Sequence, residues 1–357
     1  MKSPVQTAIA DKLNLSQGTV SRALRNKPGI RPQIRAKVLE AASEYGYQLP
    51  GSTVDGHGEM PVAMGQLTGH LVGVLVHSPH ARWRREGYLI GMSAAAPQMD
   101  ATLVLQHIRS DECRQILYPR FQPPVMRNGS MKAVVLVFRW PDSVVAELSR
   151  QFTCISMQHE YPGLGLDVIG VNHRQGMQEL MDHLYSLGHR RIGFVGRCSE
   201  LSWSRARFAG YVDALCQHGI EYSADQVIES TAEDLAGVEE GIMERWAPYI
   251  DRIEAKIRSG VRAWMASSDW AADCIRQGLV NRGLRVPEDV SITGFDAQSD
   301  LSPECLLTTV TVPMETMGAA ALKRAVERLQ NPGSQPSHIT YSCPLRVGKS
   351  TAPPRPE

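Results

Sequence analysis

No Cys-x-x-Cys pair occurs anywhere in the 357 residues. The seven cysteines (Cys113, Cys154, Cys198, Cys216, Cys274, Cys305 and Cys343) are scattered and odd in number. Such a set supplies neither zinc spacing nor a disulfide framework, and it reads as reduced thiols in a cytoplasmic protein. No metal and no cofactor is expected. Long apolar runs are missing too: none reaches the roughly 20 residues of a membrane span. The opening "MKSPVQTAIA" lacks the apolar core of a signal peptide. Membrane partners are therefore not expected. Also absent are G-x-S-x-G, G-x-x-x-x-G-K-[ST] and H-E-x-x-H, and "VGRCSELSWS" has Gly and Ser without phosphate-loop spacing. The eleven histidines are dispersed, and the most suggestive neighbours, His183 and His189, lie six apart. Isolated histidines of this kind read as structural, so no enzyme is expected.

A large net charge is lacking as well, at +1, but the charge is unevenly placed. Residues 1–50 hold eight Lys and Arg against three Asp and Glu, about +5, which leaves about −4 for the rest. A basic head on a mildly acidic body points to a polyanion partner for the head alone. With 43% apolar residues the chain has ample core material, and its length suits two or three packed units.

What is present begins with three short helical patterns. Val5, Ala8, Ile9 and Leu13 fall at helical spacing, and Asn14 follows at a turn where Asn tolerates a left-handed backbone. Ser16 suits the N-cap of a second helix whose inward face is Val20, Ala23 and Leu24. After "NKPGIRP", Ile34, Val38, Ala42 and Tyr45 form a third stripe, which Gly46 is placed to end. The exposed side of the second helix carries Ser16, Gln17, Gly18, Thr19, Ser21 and Arg22 instead of the Glu and Lys of a solvated face. Short polar side chains let a helix enter the major groove, where Gln and Arg reach base edges and Ser and Thr reach phosphates. The pattern is that of a helix-turn-helix; the plain alternative is a three-helix cap.

The segment "TAIADKLNLSQGTVSRALRNKPGIRPQIRAKVLEAASEYGYQLP" resembles the DNA-binding headpiece of the LacI (lactose-repressor) family of bacterial regulators. Positions such as Ile9, Ala10, Ser16, Thr19, Val20, Ser21, Arg22, Leu24, Gly46, Tyr47 and Pro50 match its pattern, while Asn14 replaces the usual turn Gly. The resemblance implies that Gln17 and Gly18 occupy the pair that chooses bases, with Arg22 as the third reader. It extends DNA contact to Asn26. It also implies a short hinge helix that wedges an apolar side chain into the minor groove. Counting back from the strand "LVGVLV" puts Met64 at that position, either as the wedge or packed on the body within an unstructured spacer. Pro61 and Gly65 flank it, and the Arg- and Ala-rich hinge pattern is missing.

Beyond residue 70, apolar runs "HLVGVLV", "ATLVLQ", "KAVVLVF", "RRIGFVG", "VRAWMAS" and "DVSITGF" alternate with amphipathic stretches. Such alternation argues for parallel sheets covered on both faces. The segments "NHRQGMQELMDHLYSLGHRRIGFVG", "SRARFAGYVDAL" and "GLRVPEDVSITGFD" resemble the family's body. The closing "LRVGKST" does so with Lys349 displaced against the family Arg. The implied fold is α/β: a three-helix headpiece (1–50), a linker or hinge (51–70), and a two-lobed body of the type I periplasmic-binding-protein kind (71–357). Three crossings between the lobes are expected near 171–173, 309–312 and 341–344.

Ligands in that architecture bind between the lobes, at the C-terminal ends of strands. By resemblance Arg207 grips an effector, the alternative being an interlobe salt bridge. Asp296 accepts from hydroxyl or amine groups. Ser268 and Asp269 stand where the family shows Asn-Asp, and Asp269 reads first as the cap of the next helix, with an effector contact as the alternative. Ser78 and Trp83 follow the first body strand, Trp83 as a stacking face or as core, and Trp203 is a further aromatic candidate. Trp270 is another of the same kind. An Arg, an Asp and several Trp in one cleft fit a carbohydrate.

The expectation is a transcriptional repressor that binds pseudo-palindromic double-stranded operator DNA as a homodimer. A small effector, a sugar or sugar derivative, gates it. No tetramerising heptads precede the terminal "TAPPRPE". The competing readings are a ligand-carrying transport receptor and a DNA binder that is constitutive or governed by a partner protein.

Overall fold

In the headpiece, α1 (Pro4–Leu13) and α2 (Gln17–Leu24) are joined by a turn in which Asn14 takes φ 53°, the left-handed conformation. Ile9, Ala10, Val20, Ala23 and Leu24 are buried together with Val38, Ala41 and Ala42 of a third helical segment. The inward stripe of α2 is the one its sequence spacing implies. This computed structural model describes residues 4–24, 30, 34, 37–38, 41–42, 69–78, 86–235, 241–297 and 306–355. The chain divides into two units, 1–66 and 67–357.

The body runs β1 (His70–Ser78), α3 (Glu86–Ala95), β2 (Ala101–Arg109), β3 (Ala133–Val137), α4 (Asp142–Gln151), β4 (Thr153–Met157) and β5 (Asp167–Val171). It continues with α5 (His173–Ser186), β6 (Ile192–Arg197), α6 (Ser202–Gln217), β7 (Val227–Glu229), α7 (Ile242–Arg258), β8 (Ala263–Ala266), α8 (Asp269–Val280) and β9 (Ser291–Thr293). The last elements are β10 (Thr309–Val310), α9 (Met314–Gln330), β11 (His338–Tyr341) and β12 (Leu345–Arg346). One parallel sheet has the order β11-β5-β4-β3-β1-β2, a second β7-β6-β8-β9. In both, the second strand lies outside the first and the third on its other side, the doubly wound order. The six apolar runs read from the sequence supply β1, β2, β3, β6, β8 and β9. Burial on both faces explains their composition: every residue of β3, "AVVLV", is 0% exposed.

The chain passes from the first lobe to the second after Val171, returns between Val310 and Met314, and passes over again between Tyr341 and Leu345. The first two passages leave from strand C-termini, so the C-terminal ends of the two sheets face each other across the cleft. Backbone bonds tie the crossings together: Asn172 N–H to Tyr341 O at 2.8 Å, and Thr311 N–H to Pro344 O at 2.9 Å.

The segment after β12 straps the second lobe. Ile292 N–H donates to Ser350 O at 2.8 Å, and His189 Nε2 lies 2.9 Å from Ala352 O. His183 Nε2 meets Thr351 Oγ1 at 2.8 Å. Burial lowers the pKa of both imidazoles below 6.5. A histidine held neutral in the fold contributes stability above its unfolded pKa, and that contribution is lost as pH falls through about 6.5 and the unfolded chain takes up protons first. The melting temperature is therefore expected to drop from pH 7.5 to 5.5. A His183→Gln, His189→Gln double variant should show a shallower drop; an unchanged slope would remove these two residues from the effect.

Candidate functional site

Helix α2 is set by its cap. Ser16 Oγ accepts from Thr19 N–H at 3.1 Å and meets Thr19 Oγ1 at 2.8 Å, so both hydroxyls engage each other at the start of α2. Gly18 and Arg22 are exposed, while Gln17 and Ser21 are half-buried, all away from the core face. A Cβ on Gly18 would meet only Ser16 Oγ, at 3.9 Å, so packing does not require glycine there. Its absence leaves the backbone open to close approach by a partner. Asn26 and Met64 lie outside the described residues.

In the cleft the central feature is a buried ion pair. Arg207, on α6, is 1% exposed, and its Nη2 donates to Asp296 Oδ1 at 2.7 Å. Nη1 donates to Ser267 O at 2.6 Å and approaches Asp296 Oδ2 at 3.5 Å; Nε donates to His173 Nδ1 at 3.3 Å. The guanidinium lies over Phe295 at 3.7 Å and over the half-buried Trp203 at 4.9 Å. Asp296 has φ 117°, a conformation that a non-glycine residue keeps only where its surroundings over-determine it. Phe138 and Gln158, just past the ends of β3 and β4, also have positive φ, at 67° and 62°. Backbone strain thus gathers on the cleft side of both sheets.

Two sequence readings are corrected by this geometry. Arg207 is not an interlobe bridge, because both members of the pair belong to the second lobe. Nor does Asp269 cap α8: Ser268 does, its Oγ accepting from Ala271 N–H at 3.2 Å. Asp269 is 0% exposed and its Oδ1 accepts from Thr309 Oγ1 at 2.6 Å. Both residues have placed contacts within the lobe. Trp270 donates from Nε1 to Asp234 O at 3.3 Å. Ser78 ends β1 on the cleft side, and Trp83 lies outside the described residues.

Three residues absent from the sequence reading belong here. His159, just past β4, meets Ser202 Oγ of the other lobe at 3.3 Å. Gln158 Nε2 donates to Tyr88 Oη, which anchors that turn to α3. His173 touches the ion pair from the start of α5. No local motif marks them, since their partners are 34 to 70 positions away in the chain. Among the described residues no group of His, Cys, Asp and Glu is arranged to hold a metal ion. No helix among them is long and apolar enough to cross a membrane.

Residues 7–49 match the family of bacterial regulatory proteins called lacI, and residues 181–351 match the periplasmic binding protein-like domain. The HTH-type transcriptional repressor MelR of Bacillus subtilis (strain 168) is 25% identical over 362 residues, covering 96% of each chain. A transcriptional regulator CelR–cellobiose complex superposes with TM-score 0.66 and 22% identity, over 98% of this chain and 100% of the other. The lac repressor dimer bound to operator and the anti-inducer ONPF gives TM-score 0.64 and 19% identity, over 96% and 98%. The shared architecture runs the length of the chain.

Proposed function

Because the chain belongs to the LacI family of bacterial regulators, we propose that it is an operator-binding transcriptional repressor whose affinity for DNA is gated by a small effector held between the two lobes. The observation that carries this reading is the union, in one chain, of the capped and exposed reading helix α2 with two like-wound lobes whose strand C-termini face each other. The organisation that accompanies it is a headpiece at 1–50, a linker at 51–70 and an effector and dimerisation body at 71–357. In the headpiece Gln17 and Arg22 read bases, Ser16, Thr19 and Ser21 serve the phosphates, and Gly18 permits close approach. In the body Arg207 and Asp296 address the polar groups of the effector and Trp203 its apolar face. A sugar satisfies that combination, with hydroxyls for the pair and a ring face for the indole. The protein acts in the cytoplasm as a homodimer and performs no catalysis.

Gating follows from linkage. An effector shifts the lobe arrangement only by binding one arrangement more tightly than another, and it shifts DNA affinity by the same coupling. Calorimetric titration of the full chain with a panel of mono- and disaccharides, including ribose and cellobiose, tests the cleft. Selection of bound sites from random-sequence DNA tests the headpiece. A binding sugar that changes affinity for the selected palindrome supports the reading; selected sites with no common palindrome would sink it. A second reading, a DNA binder without a small effector, has one observation behind it. Arg207 and Asp296 largely satisfy each other, and Ser268 Oγ is engaged by its own helix. Palindromes selected in the absence of any sugar response would favour that reading.

A further inference from the structure

The buried ion pair sits where all three lobe crossings meet. His173 directly follows the first crossing, its Nδ1 accepts from Arg207 Nε at 3.3 Å, and its ring lies 5.8 Å from that of Phe295, tilted by 44°. Asp296 joins the second crossing, its N–H donating to Val310 O at 3.2 Å and its backbone bridging Thr311. On the third crossing, Cys343 is 0% exposed and its N–H donates at 2.8 Å to Gln175 Oε1, two residues along α5 from His173. Gly176 makes the junction possible. A Cβ there would come within 2.7 Å of the Phe295 ring and 3.3 Å of Cys343 Cβ, so its absence lets both pack onto α5.

We propose that His173 is a positioning residue that fastens the Arg207–Asp296 pair to the three crossings, so that any change in how the pair is engaged is transmitted to the hinge. Its imidazole presents Nδ1 as an acceptor to the guanidinium, which fixes the plane of the fork that holds Asp296. Asp296 is in turn the backbone partner of the second crossing. A ligand group that takes a guanidinium N–H or a carboxylate oxygen must turn that fork. The turn is resisted on one side by His173 and felt on the other at Val310 and Thr311. The coupling is a contiguous chain of packed and hydrogen-bonded groups with named contacts at each step.

The gating consequence rests on the effector reading above, whereas the junction does not, and it is tested without ligand. Amide hydrogen exchange is followed in the full chain for wild type, His173→Phe and His173→Gln. Phe keeps a ring against Phe295 and removes the acceptor; Gln returns an acceptor. In His173→Phe the amides of Asn172, Thr311 and Cys343 are expected to exchange about tenfold faster, the loss of one hydrogen bond to a charged group, with β6 and β8 unchanged. His173→Gln should return all three to within about threefold of wild type. Acceleration confined to Asn172 would make His173 a local helix-start residue and overturn the proposal. Equal acceleration across the lobe, or no recovery with Gln, would overturn it as well. If no sugar binds, the effector reading fails while this exchange pattern stands.

Discussion

Asp296→Ala is expected to destabilise the second lobe by about 3–5 kcal/mol, measured by urea unfolding followed through tryptophan fluorescence. The reason is the charge left behind. Arg207 is 1% exposed and its fork is filled by Asp296 on one side. With the carboxylate gone, the guanidinium stays buried and uncompensated, a far larger cost than the net value of the pair. Replacing both members, Arg207→Met with Asp296→Leu, should recover much of that loss, because desolvation of two charges is then avoided. A loss under about 1 kcal/mol in the single variant would mean that water reaches the guanidinium, contrary to its burial. The same physics bears on effector experiments: an Arg207 variant must be compared at matched fractions folded, since it takes the guanidinium away from the buried Asp296 carboxylate.

Arg22→Ala is expected to lower affinity for a selected site by about 1–3 kcal/mol and to relax base preference at one position per half-site. Arg22 is exposed on α2, one turn beyond Gly18, whose carbonyl its Nε approaches at 3.4 Å. No buried packing would be lost with it, so the effect reads on DNA and not on headpiece stability. Competition against random duplexes separates the two roles open to it. If affinity falls equally on selected and random DNA, Arg22 is a phosphate contact, and the slope of log affinity against log salt should decrease by about one.

Periodicity carried much of the architecture. Val20, Ala23 and Leu24 were legible as the inner face of α2 because a helix places such positions on one side, and they are buried. Asn14 at positive φ and Ser16 as the cap were legible because few residue types tolerate those backbone roles. The all-apolar strands announced sheets covered on both faces. Strands β4 and β5, "TCISM" and "DVIGV", are not among those runs. Ser156 interrupts the apolar run of β4, and Asp167 opens β5 with a charge. Both are buried and satisfied, Ser156 by His159 O three positions on, and Asp167 by Arg324 and Ser337, far along the chain, which no local pattern reveals.

The sequence by itself determined that a basic helix-turn-helix head with a polar outer face on its second helix precedes a doubly wound body, because capping, turn conformation and core spacing are local properties. Residue types at Arg207 and Asp296 were also visible there, as isolated polar positions. Only the tertiary structure decided that these two, 89 positions apart, neutralise each other within one lobe. It alone decided that Ser268 caps α8 in place of Asp269, that Phe295 and Cys343 meet at Gly176 of α5, and that His173 packs against the same Phe295 ring. The physical reason is that desolvation and partner choice depend on which surfaces the fold brings together. A buried charge takes the partner that packing delivers, and sequence separation carries no record of that choice.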